Sequence, residues 1–150
     1  MPLDTTDFDF VSSLVLKRSG IVLEPEKSYL VESRLLPVAR HEGLSSIAEL
    51  VSRMRASSLN GLHQKVVEAM TTNETSFFRD LNPFEALRKV VLPEMFQRRA
   101  VERRIQIWCG ASSTGQEPYT IAMVLREYFA AHSDWKISII ATDLSTDVLA

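Results

Sequence analysis

Two acids, Glu117 and Asp143, stand where nucleotide-type folds place their chemistry, and the loop WCGASSTGQEP leads into the first of them. This loop contains only Gly110 and Gly115, so the G-x-G-x-x-G fingerprint of dinucleotide sites fails, and no Gly-Lys-Ser/Thr follows to make a phosphate loop. Its small side chains still let a ligand approach the backbone, and a helix starting just after it offers free amides. Glu117, in that helix's first turn, is either a partner of the helix dipole or the receiver of a cationic ligand group. Asp143, at the tip of a strand, is either the cap of a following helix or an acid accepting hydrogen bonds from both hydroxyls of a ribose. A loop with no basic residue, bracketed by two acids, suits an adenosine ligand that carries positive charge and no phosphate. S-adenosylmethionine fits that description.

A second constellation is TTNETSFFRD, Thr71 to Asp80. It holds too many hydroxyl and amide side chains for a helix interior and reads as a loop or linker. Asn73, Thr75 and Ser76 suit turns, Phe77 and Phe78 suit a core, and Arg79 suits a surface. A loop so dense in donors and acceptors, directly before two aromatics and an arginine, is however a costly choice for a plain linker, so the segment is also a candidate part of a site. Elsewhere the chemistry is sparser. Cys109 ends a strand and reads as a small core residue. His41, His63 and His132 have no metal-ligand spacing, and no metal is expected. Arg98, Arg99, Arg103 and Arg104 form a basic cluster near a helix C-terminus, which is either a dipole complement or an anion contact.

The elements that must position these groups follow from periodicity. Phe8, Val11, Leu14 and Val15 recur at helical spacing over Thr6 to Ser19, with Asp4 to Thr6 as caps and Gly20 as a stop. Pro25 leads into a second helix, EKSYLVESRLLPVARHEGL, closed by Gly43 and kinked or shortened at Pro37. Ser46 and Glu49 have capping-box spacing before a third helix, IAELVSRM, and Asn60 suits the cap of a fourth, GLHQKVVEAM. Asn82 and Pro83 start a further helix that runs through FEALRKVVLPEMFQRRA with a bend near Pro93. Ile105 to Cys109 is a strand, Glu117 to Ala131 a crossover helix, and Lys136 to Thr142 a second strand rich in isoleucine, as a buried parallel strand is. Ser145 suits the cap of one more helix. The expected class is α + α/β: a small all-helical domain over 1–70, a linker over 71–82, and over 83–150 the first βαβ unit of a truncated class I, Rossmann-like domain. Two strands and one crossover do not close such a core, so the chain is expected to be the front part of a longer polypeptide.

Bulk properties exclude other classes. The net charge is −2 over 150 residues, and neither half carries the basic excess of a nonspecific nucleic-acid binder. The single cysteine rules out an internal disulfide and fits a reducing cytosol. Asp4, Asp7 and Asp9 interrupt any signal-peptide pattern, and no stretch of about 20 apolar residues offers a membrane span. A soluble cytoplasmic protein is expected, with neither nucleic acid nor membrane insertion among its interactions.

The ordered motifs TTNETSFFRD, IWCGASSTGQEPYTIAM and IIATDLS, together with YLVESRL in the second helix, resemble the chemotaxis receptor methyltransferases, the CheR family. The resemblance covers essentially the whole chain. It implies methyl transfer from S-adenosylmethionine to glutamate side chains of bacterial chemoreceptors, with S-adenosylhomocysteine as product. It further implies cofactor contacts at Asn73, Thr75, Arg79, Glu117 and Asp143, with Arg79 near the methionine end of the cofactor or the substrate carboxylate. Two departures stand out: Cys-Gly-Ala replaces the family's usual Ala-Gly order, and Gln116 replaces a commonly acidic residue. The family's later strands and its reaction-centre tyrosine are not in this sequence. A glutamate with a pKa of about 4.3 is already ionised at neutral pH, so such a reaction needs no general base. It needs alignment and exclusion of water, and Arg79 is therefore expected to position the carboxylate.

Lys27, Arg34 and His41 repeat every seven residues near one face of the second helix, and Arg40 adjoins them. This is either a solvated face or, as the resemblance suggests for Lys27, Arg34 and Arg40, a docking surface for the receptor's acidic cytoplasmic helices. A regulatory protein is another possible partner. Two alternatives stay open: a non-catalytic module that binds receptor or regulator, and a methyltransferase with another acceptor. A nicotinamide dehydrogenase lacks its glycine fingerprint.

Overall fold

The computed structural model describes residues 3–56 and 60–149. They fall into two compact units that divide between Thr72 and Asn73.

The first unit is all helical: α1 Thr5–Ser19, a 3-10 turn Pro25–Lys27, α2 Ser28–His41, α3 Ile47–Ala56 and α4 Asn60–Ala69. Each helix buries one stripe at helical spacing. Val11 and Val15, Val31 and Leu35, Leu50 and Val51, and Val66 all lose essentially their whole surface to one core. Burying each such side chain contributes about 1.5–3 kcal/mol. The ends follow the expected chemistry. Asp4 accepts the Thr6 amide at 3.3 Å, and Gly20 closes α1 at φ 75. At the end of α2, Gly43 (φ 72) donates to Arg40 O and Leu44 donates to Ala39 O, the paired bonds of a Schellman motif.

Three expectations need correcting. Pro37 does not shorten α2, which continues to His41. The residues after Pro25 form a 3-10 turn before α2, so Lys27 precedes the helix. Before α3 the capping box is offset. Ser46 Oγ accepts the Glu49 amide at 3.2 Å, but the Glu49 carboxylate reaches back to the amide and hydroxyl of Ser45 at 2.9 and 2.8 Å, and not to Ser46. The capping role read for the Asn60 side chain lies outside the described residues.

The second unit begins at Asn73. It contains α5 Leu81–Ala86, a π turn Leu87–Val91, α6 Leu92–Arg98, β1 Arg104–Gly110, α7 Gln116–Tyr128, β2 Lys136–Thr142 and a 3-10 turn Thr146–Val148. Near Pro93, where a bend is expected, the helix carries this π turn. Proline has no amide to donate, and the ladder widens just before it, with Leu92 N–H reaching Leu87 O. Asp80, at φ 57, occupies the cap position expected of Asn82, which lies inside α5. The strands pair in parallel from Arg104↔Lys136 to Gly110↔Thr142. One sheet face packs Ile105, Ile107, Ile137 and Ile139 on Leu92, Val124, Leu125 and Phe129. The expectation of a strand buried on both faces fails on the other side, where Trp108 is 73% and Ile140 47% exposed. Among the described residues, no helix covers that face. The crossover helix ends at Tyr128, three residues before the expected Ala131.

Candidate functional site at the strand ends

The site is assembled where β1 and β2 end side by side. One hydrogen bond past their last pair, Ser112 N donates to Thr142 O at 2.9 Å, and the β1–α7 loop then turns sharply. Ala111, Ser113 and Gly115 have φ of 59, 48 and 98. Every second residue is thus left-handed, a conformation that costs a non-glycine residue on the order of 1–3 kcal/mol and persists only where surrounding bonds hold it. At Gly115 a side chain would also meet the Tyr119 ring, 3.4 Å from an added Cβ.

This turn aims the Ser113 amide at Asp143. Ser113 N donates to Asp143 Oδ2 at 2.7 Å, and Ser145 N donates to Asp143 Oδ1 at 2.9 Å. Asp143 therefore sits at the tip of β2 with one amide on each carboxylate oxygen. A carboxylate offers about four acceptor positions, so it retains capacity for hydroxyl donors. The expected cap for a following helix takes a different form. Among the described residues a 3-10 turn follows, with Ser145 at its cap position but making no capping bond with its side chain, and Asp143 accepts the Ser145 amide in its place.

The segment from Asn73 to Asp80 is part of the second unit, bonded to both strand ends and to α7. Asn73 O accepts the Ser113 hydroxyl at 2.6 Å, and Asn73 Nδ2 donates to Ser145 Oγ at 3.4 Å. Farther along, Phe78 N donates to Thr120 Oγ1 at 3.2 Å, while that hydroxyl donates to Gln116 O at 2.7 Å. Thr120 is fully buried. Arg79 Nη1 donates to Glu74 O at 2.6 Å, which folds the arginine back over its own segment while leaving it exposed. The reading of Phe77 and Phe78 as core residues fails: they are 56% and 41% exposed, and Phe78 (φ 52) meets Phe84 edge-on at 5.9 Å.

Asn73 and Asp143 are thus brought into one network, through Ser113 and Ser145. Arg79 lies on the same segment, joined to it by a different bond. Thr75 is half-buried and Glu117 exposed, and neither side chain makes a hydrogen bond or ion pair among the described residues. Glu117 acts on its surroundings by charge. Burial first, and the Glu117 carboxylate second, push the Cys109 thiol above its ordinary range. Cys109 is therefore a protonated core residue and no nucleophile. Sequence reasoning missed Ser112, Ser113 and Thr120, and gave Ser145 the wrong role. The available signal was a pair of serines in a tight loop and a lone hydroxyl on the buried stripe of α7.

The docking residues of the first unit are dispersed in role. Arg34 donates Nη1 to Met70 O and Thr71 O at 2.8 and 3.1 Å and Nη2 to Thr72 Oγ1 at 3.3 Å. It caps the end of α4 and does not present its charge outward. Lys27 pairs with Glu24 at 2.6 Å and remains exposed, and His41 faces Glu42 at 3.7 Å. Arg40 is exposed, with no ion pair among the described residues. The basic cluster is largely neutralised: Arg98 pairs with Glu94, Arg99 with Glu102, and Arg103 with Asp134.

The residues at the strand ends fit an S-adenosyl ligand. The loop carries no cation for a phosphate, Asp143 is ordered by two amides with acceptor positions to spare, and Glu117 at the start of α7 has no ion-pair partner among the described residues. No helix among the described residues is long and apolar enough to cross a membrane.

Comparison with known proteins gives the same division. Residues 6–71 match the family model of the CheR methyltransferase all-alpha domain, and residues 73–150 match that of the CheR methyltransferase SAM binding domain. The chain is 42% identical to chemotaxis protein methyltransferase Cher2 of Pseudomonas putida and 41% identical to chemotaxis protein methyltransferase 1 of Pseudomonas aeruginosa, each over 99% of this chain and 55% of the relative. It is 34% identical to the chemotaxis protein methyltransferase of Escherichia coli over 99% of this chain and 49% of that protein. The chain spans about half the length of the curated relatives it matches.

Proposed function

The chain belongs to the CheR methyltransferase family, and on that premise we propose that the protein that carries these two units transfers methyl groups from S-adenosylmethionine to glutamate carboxylates of chemoreceptors in the cytoplasm. The observation that carries the reading is the Asp143 carboxylate, held by two amides at the tip of β2 beside a loop unfit for phosphate. Bound S-adenosylmethionine supplies an activated methyl group. Asp143 would receive the ribose hydroxyls, and Glu117 the cationic group of the ligand. Asn73 and Thr75 line the segment that crosses the strand ends. Arg79 orients the acceptor carboxylate, which needs no base because it is ionised at neutral pH. Among the described residues its guanidinium makes one exposed hydrogen bond, to Glu74 O, which leaves further donors for that task. Receptor docking falls to Arg40 and Lys27 on the helical unit, with Arg34 supporting the fold behind them.

A second reading concerns the 150-residue stretch by itself. With one face of its two-stranded sheet open at Trp108 and Ile140, it acts as a receptor- or regulator-binding module without catalysis.

The test uses full-length protein, S-adenosylmethionine with a labelled methyl group, and receptor cytoplasmic fragments. Carboxyl methyl esters release methanol in alkali, whereas N-methyl groups do not. Alkali-labile label on the receptor is the expected result. Alkali-stable label, or label only on another acceptor, overturns the glutamate assignment.

A further inference from the structure

We infer that Ser113 is a positioning residue, holding the Asn73 segment and the Asp143 carboxylate in fixed relation without itself touching ligand. This rests on the reading of the strand ends as the cofactor site. One residue serves both partners: its hydroxyl donates to Asn73 O at 2.6 Å and its amide to Asp143 Oδ2 at 2.7 Å. Ser145 closes the ring, its amide on Asp143 Oδ1 and its hydroxyl accepting Asn73 Nδ2. Four residues from three separate segments thereby form one cycle of hydrogen bonds, and such a cycle transmits displacement of any member to the others. Ser113 is only 7% exposed and sits at φ 48. Glycine adopts that backbone without strain, so a serine there accepts strain to keep a hydroxyl, and the only hydrogen bond that hydroxyl donates is to Asn73. The strained turn points the amide toward β2, and the hydroxyl draws the crossing segment down onto it. A site for an elongated ligand benefits because contacts on the segment and at the strand tip then keep a constant spacing.

Replacing Ser113 by glycine separates the two roles, since it relieves the backbone and deletes the hydroxyl. In full-length protein, titration calorimetry with S-adenosylhomocysteine is compared for wild type, S113G, D143N and the double variant. S113G is expected to bind roughly three- to tenfold more weakly, the worth of one neutral hydrogen bond, with an unfolding midpoint no lower than wild type. In the D143N background the same change is expected to matter less than twofold, because its effect passes through Asp143. Hydrogen exchange without ligand gives an independent readout. The peptide covering Asn73 to Asp80 is expected to exchange faster in S113G, while peptides of the helical unit stay unchanged. Wild-type affinity together with wild-type exchange in S113G overturns the inference, as does an equal loss of affinity in both backgrounds. A wild type that binds no S-adenosylhomocysteine overturns the cofactor reading instead, and the exchange experiment then decides the clasp alone.

Discussion

Arg34 Nη1 lies 2.8 Å from the carbonyl oxygen of Met70, 36 positions later in the chain. That bond and its neighbours at Thr71 and Thr72 fasten the middle of α2 to the exit of α4. They satisfy carbonyls that the end of a helix leaves without partners, and they place a cation where the helix dipole favours one.

Replacement of Arg34 by alanine is therefore expected to destabilise the helical unit by about 1.5–3 kcal/mol, the range for hydrogen bonds to a charged group. Lysine cannot reproduce the forked contact and is expected to recover only part of it. Urea unfolding measures both. A variant of unchanged stability but impaired receptor methylation would restore the docking role that the spacing of Lys27, Arg34 and His41 suggests.

Thr120→Val keeps the side-chain shape in a fully buried position but removes the acceptor of the Phe78 amide. Leaving a donor unpaired costs about 1–3 kcal/mol, whereas Thr120→Ser keeps the hydroxyl and is expected to cost less than the valine change. Thermal unfolding of the two variants side by side checks the ordering.

Glu117 makes no hydrogen bond or ion pair among the described residues, so its replacement by glutamine is expected to change stability by no more than about 0.5 kcal/mol, as for other surface changes. If the carboxylate contacts the ligand, affinity for S-adenosylmethionine falls roughly 10- to 100-fold, the equivalent of a charged hydrogen bond. Equal affinity of E117Q and wild type by calorimetry would return Glu117 to the role of a dipole partner.

The Glu49 carboxyl is held below the ordinary carboxylate range, first by the Ser45 amide and then by the Ser45 hydroxyl. A carboxyl whose folded pKa lies below its unfolded one contributes stability that is fully present above the unfolded value and is lost as pH falls through the folded one. E49Q is therefore expected to lower the melting temperature at pH 7, and its difference from wild type to shrink as the pH falls below the ordinary glutamate range. A difference that persists unchanged to low pH would assign the effect to packing.

Cys109 gives a simpler test. Its thiol is buried and its pKa raised, chiefly by that burial, so a thiol reagent at pH 7 is expected to label the denatured protein rapidly and the native protein slowly. Fast native labelling would contradict the core placement.

Much of the architecture was legible because it depends on neighbours a few residues apart. Apolar spacing located α1 to α4, Gly20 and Gly43 marked helix ends, and β2 spans the predicted Lys136 to Thr142, with Asp143 at its tip. The failures came wherever a local signal had more than one way to be satisfied. Glu49 chose Ser45 over Ser46, Asp80 displaced Asn82, and the helix widened into a π turn before Pro93. Isoleucines in β2 suggested a buried strand, but burial depends on what packs against it, and among the described residues one face is packed while Ile140 on the other stays exposed. The site itself was only half legible. The sequence supplied Asn73, Glu117 and Asp143 as polar groups in suggestive places, yet of the bonds that join Asn73 to Asp143 only the one between Ser145 and Asp143 is local, and the others span 30 to 72 positions. Periodicity carries no information at that range. Tertiary structure alone decided that Ser113 and Ser145 would meet between them, because only folding brings the crossing segment and both strand ends within hydrogen-bond distance.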